Sequence, residues 1–148
     1  MKKISLMILT LLIGFCSISY ANDNDKVTRA ILLSFQQDFK DATQVSWSET
    51  SSCFKATFML EGQTTYAYYD KKDASLIAIT RNILSNQLPL NLQQQLRSKI
   101  KEGWIANLFE VASGGETYYY ATVESDENTS VYKSSGFSDW TLASKTDK

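Results

Sequence analysis

The stretch CFKATFMLEGQTTYAYYD, residues 53–70, decides the architecture. Phe54, Ala56, Phe58 and Leu60 alternate with Cys53, Lys55, Thr57 and Met59, the period of a strand with two distinct faces. Glu61-Gly62-Gln63 then makes a turn, and residues 65–69 run back alongside. The parity of the loop decides which tyrosines are sheltered. An even loop places Ala67 and Tyr69 on the Phe54–Phe58 face and sends Lys55, Thr57, Tyr66 and Tyr68 to the other, whereas a three-residue loop inverts the second strand. The even loop is expected, because it sets a small and a large side chain where a helix docking on a sheet needs them.

Outward from this hairpin, residues 26–42 carry Val27, Ile31, Phe35 and Phe39 every four positions with polar residues between, an amphipathic helix that Asn24 or Asp25 would cap. Val45 and Trp47 point to a strand before the hairpin and residues 76–80 to one after it. Beyond Leu88-Pro89 the pattern returns: Leu92, Leu96 and Ile100 stripe a second helix, with Asn91 as N-cap and Gly103 as stop. Strands follow at residues 105–112, 117–124, 130–134 and 140–143, broken by turns at Ser113-Gly114-Gly115 and Asp126-Glu127-Asn128. A shift of 65 lays Val27, Ile31 and Phe35 on Leu92, Leu96 and Ile100, and FKATF on YYATV at 119–123. The expected fold class is therefore α+β: an antiparallel sheet with two helices packed on one face, built from two tandem helix-plus-strands pseudo-repeats at about residues 24–87 and 88–148.

The order of motifs carries more than any one of them. A helix ending near FKDATQVSW (39–47), then FKATF, YAYYD and NQLP (86–89) before a second helix resembles the PepSY-like, beta-lactamase-inhibitor-like exported proteins of Bacteroidetes-type bacteria, over essentially all of the chain beyond its leader. The resemblance implies helices on one face of an antiparallel sheet of two tandem units and, from the namesake inhibitor, partner binding by the opposite face. The chain departs from that disulfide-bonded inhibitor in having no cysteine pair.

The leader itself is MKKISLMILTLLIGFCSISYA: two lysines, an apolar run over residues 4–18, then Ser19-Tyr20-Ala21. That run falls short of the roughly 20 apolar residues of a membrane span, so residues 1–21 read as a signal peptide cut near Ala21, and residues 22–148 as a single domain, periplasmic or secreted. Cleavage removes Cys16 and leaves Cys53 without a partner, so no internal disulfide forms.

Charge and composition narrow the chemistry. Fifteen basic residues against 16 acidic give no footprint for a phosphate backbone, so nucleic acid is not an expected partner. Histidine is absent, which removes Ser-His-Asp and Cys-His nucleophiles and imidazole zinc sites. Neither Asp23 with Asp25 nor Asp126-Glu127-Asn128 has the oxygen spacing of a calcium loop. No catalytic residue, metal or cofactor is expected. Trp47, Trp104 and Trp140 are expected in the core, and Cys53 as a packed thiol. The candidate partner-binding set is the helix-free face: Lys55, Tyr66, Tyr68, Tyr118, Tyr120 and Lys133. Tyrosine there offers large amphipathic area at low entropic cost, although cross-strand packing would use the same residue type. The expected function is an exported, non-enzymatic, inhibitor-like domain engaging an unidentified protein or peptide through that face or an edge strand. The alternatives are an envelope structural protein with no specific site, or a carboxylate- or Cys53-based enzyme.

Overall fold

The computed structural model describes residues 26–100, 103–136 and 138–148. The elements follow one another as α1 (Arg29–Asp38), β1 (Thr43–Glu49), β2 (Cys53–Leu60), β3 (Gln63–Asp70) and β4 (Leu76–Asn82). A short 3-10 helix (Ser85–Gln87) then leads to α2 (Leu90–Lys99), β5 (Trp104–Ser113), β6 (Glu116–Glu124), β7 (Asn128–Ser134) and β8 (Thr141–Asp147). The signal-peptide reading, the cut near Ala21 and the Asn24 or Asp25 cap concern residues outside those described.

The eight strands form one antiparallel sheet in chain order, β1 to β8. The β2–β3 loop is even, as the packing argument requires: Leu60 pairs with Gln63, leaving Glu61 and Gly62 as a two-residue turn. Both have positive φ, 49° and 77°, which matches the twist of the flanking strands and suits glycine at the second place. Ser113 and Glu116 close the β5–β6 hairpin in the same way.

Registers across the sheet place both helices on one side. Phe58 pairs with Thr65, Thr65 with Arg81, Arg81 with Glu110, Glu110 with Tyr119 and Tyr119 with Ser134, so these side chains share a face. At one end of that row Val27, Ile31, Phe35 and Phe39 of the α1 stripe bury against Trp47, Phe54, Ala56, Phe58, Ala67 and Tyr69. At the other, Leu92 and Leu96 of α2 bury against Leu108, Tyr119, Ala121, Val123 and Trp140. Each large apolar side chain removed from water here contributes roughly 1.5–3 kcal/mol. Two local ties fix the helices: Tyr69 Oη donates to Asp38 at 3.0 Å, and Trp140 Nε1 donates to the Leu92 carbonyl at 3.0 Å.

Several local expectations are corrected. α1 begins at Arg29 because Thr28 is its N-cap, its Oγ1 accepting from Ile31 N at 3.4 Å. α2 begins at Leu90 after Pro89 rather than at an Asn91 cap, since proline's fixed φ suits a helix entry. Gly103 is not a helix stop: α2 ends at Lys99, and a Cβ at Gly103 would lie 2.3 Å from the Glu124 carbonyl oxygen. Glycine is needed there so that β5 can start against the end of β6. Trp47 and Trp140 are buried, but Trp104 is 52% exposed. It pairs with Glu124 and so lies on the face away from α2, its ring beneath Lys148 Nζ at 5.7 Å.

Both sheet edges are irregular. The β1 register shifts between Thr43 and Ser46, where Gln44 takes φ 54°, and the β7–β8 register shifts between Val131 and Tyr132. Bulges of this kind blunt an edge against pairing with another strand.

Candidate functional site

The face opposite the helices is organised by three ladder rows. The central row runs Ser46, Thr57, Tyr66, Thr80, Val111, Tyr118 from β1 to β6. To one side lie Ser48, Lys55, Tyr68 and Ala78 on β1 to β4; to the other lie Phe109, Tyr120, Lys133 and Thr141 on β5 to β8. All six candidate residues, Lys55, Tyr66, Tyr68, Tyr118, Tyr120 and Lys133, therefore share this face, where no described helix lies.

They are not equivalent. Tyr68 and Tyr120 are 3% and 1% exposed, within a buried cluster with Cys53, Ala78 and Val111. Tyr120 stacks against Phe109 with centroids 5.3 Å apart. Tyr68 is hydrogen-bonded to Thr80, and burial pushes its phenol up to about 12. Tyr66, Tyr118, Ile77, Phe109 and Val131 are only partly buried around that cluster. These residues form a partly exposed apolar surface around the cluster, and Tyr68 and Tyr120 lie buried within it. Cross-strand packing and surface presentation thus divide the tyrosines between them.

The lysines lie on the rings. Lys55 Nζ sits 5.5 Å from the Tyr66 centroid, and Lys133 Nζ 4.1 Å from Tyr118 and 5.6 Å from Tyr120. Partial burial lowers both ammonium pKa values, opposed at Lys55 by Cys53 and at Lys133 by Glu116. Tyr118 Oη donates to Glu116, and that bond raises its pKa. Cys53 is free but 1% exposed, its Sγ 3.1 Å from Thr50 Oγ1, so its thiol is packed.

Two other features lie on the helix side. Arg81 Nε pairs with Glu110 at 2.6 Å in the gap between the helix-covered clusters, where Tyr119 Oη also donates to Glu110 at 3.3 Å. A cavity of about 310 Å³ opens at the end of α2, lined by Lys99, Ser130, Tyr132 and the β6–β7 turn at Asp126, Glu127 and Asn128. Asp126 and Glu127 are at the surface there, and among the described residues no group of three or more metal-ligating side chains converges.

No family model and no curated protein matches the chain. Solved structures do. A BLIP-like protein from Bacteroides fragilis aligns over 84% of this chain and 91% of its own with a TM-score of 0.70 at 17% identity. A DUF2874 family protein from Bacteroides uniformis aligns over 82% and 89% with a TM-score of 0.72 at 13% identity. A protein from Bacteroides eggerthii described as a candidate periplasmic protein aligns over 82% and 88% with a TM-score of 0.71 at 11% identity. The fold is the BLIP-like fold of these Bacteroides proteins, as the order of sequence motifs implied.

Proposed function

We propose that this chain is an exported, inhibitor-like domain that binds a protein partner through its helix-free sheet face, and that it acts by covering the partner's surface and performs no chemistry. One observation carries the reading: a buried aromatic cluster, with Tyr66, Tyr118, Phe109 and Val131 partly exposed around it, sits where no described helix covers it. Apolar area of that kind, rimmed by polar residues, is characteristic of contact surfaces. An evenly polar face would favour a structural role with no specific site, and this face is not polar at its centre. The bulges on β1 and β8 favour the face over an edge strand. Cys53 is too sheltered to serve as a nucleophile, and the absence of histidine disfavours the enzyme alternative.

Export rests on the leader sequence and draws support from the likeness to the B. eggerthii protein. Among the described residues no helix is long and apolar enough to cross a membrane. The same reading takes the two runs of one helix and four strands as copies of one ancestral unit. Affinity capture of envelope proteins on the domain from Asn22 onward tests the binding reading. Wild type should retain a discrete partner that Tyr66→Ser with Tyr118→Ser loses, with unchanged circular dichroism. Equal capture by the folded double variant would refute it.

A further inference from the structure

The helix-free face has a symmetry that the order of the strands does not require. About a point between Thr80 and Val111 on the central row, Tyr66 on β3 corresponds to Tyr118 on β6. The same half-turn carries Lys55 on β2 onto Lys133 on β7, and Tyr68 on β3 onto Tyr120 on β6. Each lysine therefore has the same two tyrosine neighbours in the same places. Directly across from it is the buried Tyr68 or Tyr120, and one diagonal step away is the partly buried Tyr66 or Tyr118. In both cases the ammonium reaches along the diagonal to the partly buried ring, lying 5.5 Å from the Tyr66 centroid and 4.1 Å from that of Tyr118. The shift of 65 residues does not produce this relation, since it lays Lys55 on Tyr120 and Tyr68 on Lys133.

Both ammoniums are engaged beyond these rings, and neither stands as an open charge. Lys55 interacts electrostatically with Cys53 of the buried cluster. Lys133 lies 5.6 Å from the Tyr120 centroid and interacts with Glu116, the carboxylate to which Tyr118 Oη donates. Each lysine thus joins one partly buried ring to the buried cluster. A partly buried tyrosine on a sheet has more than one staggered χ1 rotamer open to it, and binding that selects one rotamer costs the ring that freedom. A cation seated on the ring favours one rotamer before any partner arrives.

We propose that Lys55 and Lys133 are positioning residues of this face: each holds one tyrosine, Tyr66 or Tyr118, in the orientation in which it meets a partner, and neither meets the partner through its ammonium. The proposal rests on the binding reading above and gives the two lysines a different task from the tyrosines. Binding then depends on the cation–ring contacts, yet these lysines add nothing to its salt dependence, because they form no new ion pair with the partner. Arginine, which also seats its cation on a ring, serves in their place, whereas methionine has an apolar stem without the charge and does not.

NMR of the folded domain tests the positioning directly. The ε-methylene protons of Lys55 and Lys133 should be shifted upfield by ring currents, and the Tyr66 and Tyr118 side chains should show the χ1 couplings of a single rotamer. In Lys55→Met with Lys133→Met those couplings should average, and in Lys55→Arg with Lys133→Arg they should not. Each single methionine variant should release only the ring that its lysine touches, which a general loss of structure would not do. Peptides selected from a displayed random library on wild type, and shifting the Tyr66 and Tyr118 resonances, supply the binding readout. The methionine pair should weaken them about tenfold and the arginine pair less than about twofold, the cost of ordering two rings on binding. Added salt should lower their affinity equally in wild type and the methionine pair. Rings that keep one rotamer in the methionine pair, averaged rings with unchanged peptide affinity, or a salt dependence that flattens in that pair would each overturn the positioning role and leave the binding reading standing. Selected peptides that footprint elsewhere, or none at all, would overturn both.

Discussion

On the helix-covered face the apolar side chains form two clusters under two separate helices, with the Arg81–Glu110 pair between them; on the opposite face one cluster centred on Tyr68, Val111 and Tyr120 spans that same seam. Where β4 meets β5, the Arg81–Glu110 pair thus lies on the helix side, whereas Thr80 and Val111 are buried on the other. The difference teaches that a sheet face can lack a helix and still be structural at its centre. It also separates the tyrosines by depth. Tyr68 and Tyr120 are buried at the seam, and Tyr66 and Tyr118 beside them are only partly buried.

The largest test of this contrast is Phe35→Ala, which empties the site where α1 meets Trp47, Phe58 and Tyr69 through ring contacts of 5.0–6.4 Å. It should destabilise the domain by roughly 3–5 kcal/mol in urea unfolding. Tyr120→Ala should cost roughly 3 kcal/mol although it lies on the helix-free face, since its ring is 1% exposed and stacked on Phe109. A loss below about 1 kcal/mol would show that this cluster does not hold the seam.

A smaller effect is expected in alkali. The Tyr68 phenol titrates near 12 in the native state against 10.0 for an ordinary tyrosine, so the unfolded chain loses that proton first. Its contribution is complete below about pH 10 and disappears as pH rises through about 12. Lys55 and Lys133, lowered by burial, act in the opposite sense, so the comparison must be with Tyr68→Phe. Unfolding midpoints between about pH 9 and 12 should fall more steeply for wild type than for that variant. The smallest effect belongs to Tyr66→Ser, expected to cost less than about 1 kcal/mol because the ring is only partly buried. A cost equal to that of Tyr120→Ala would erase the distinction between supporting and contacting tyrosines.

The alternation in residues 53–70 and the stripes through Phe35 and Leu96 suffice to read the strand faces, the even hairpin loop and the helix-bearing side, because each follows from a period in the local chain. Depth is not legible in the same way. Parity assigns Tyr66 and Tyr68 to one face without distinguishing them, and the burial of Tyr68 depends on Val111 and Ala78 from strands that only the assembled sheet brings together. Trp104 shows the same limit, since its aromatic character points inward while its pairing with Glu124 turns it to the far face. Gly103 carries an ambiguous signal: a glycine past a helix resembles a cap, whereas here it serves the approach of β5 to a carbonyl two strands' length away in sequence.

The strictly sequential strand order bears on how the molecule assembles. Seven antiparallel pairings join chain neighbours, and most are closed by short turns, so most of the sheet can zip from local hairpins. The exception is β4 to β5, where the 3-10 helix and α2 intervene and the chain must return from Asn82 to Trp104 before the ladder continues. Loop closure there carries the greatest entropic cost, and that pairing is expected to form last. Until it does, Ala78 and Val111 lie on unjoined strand edges. The transient species most prone to self-association is therefore one with two finished halves and an open middle.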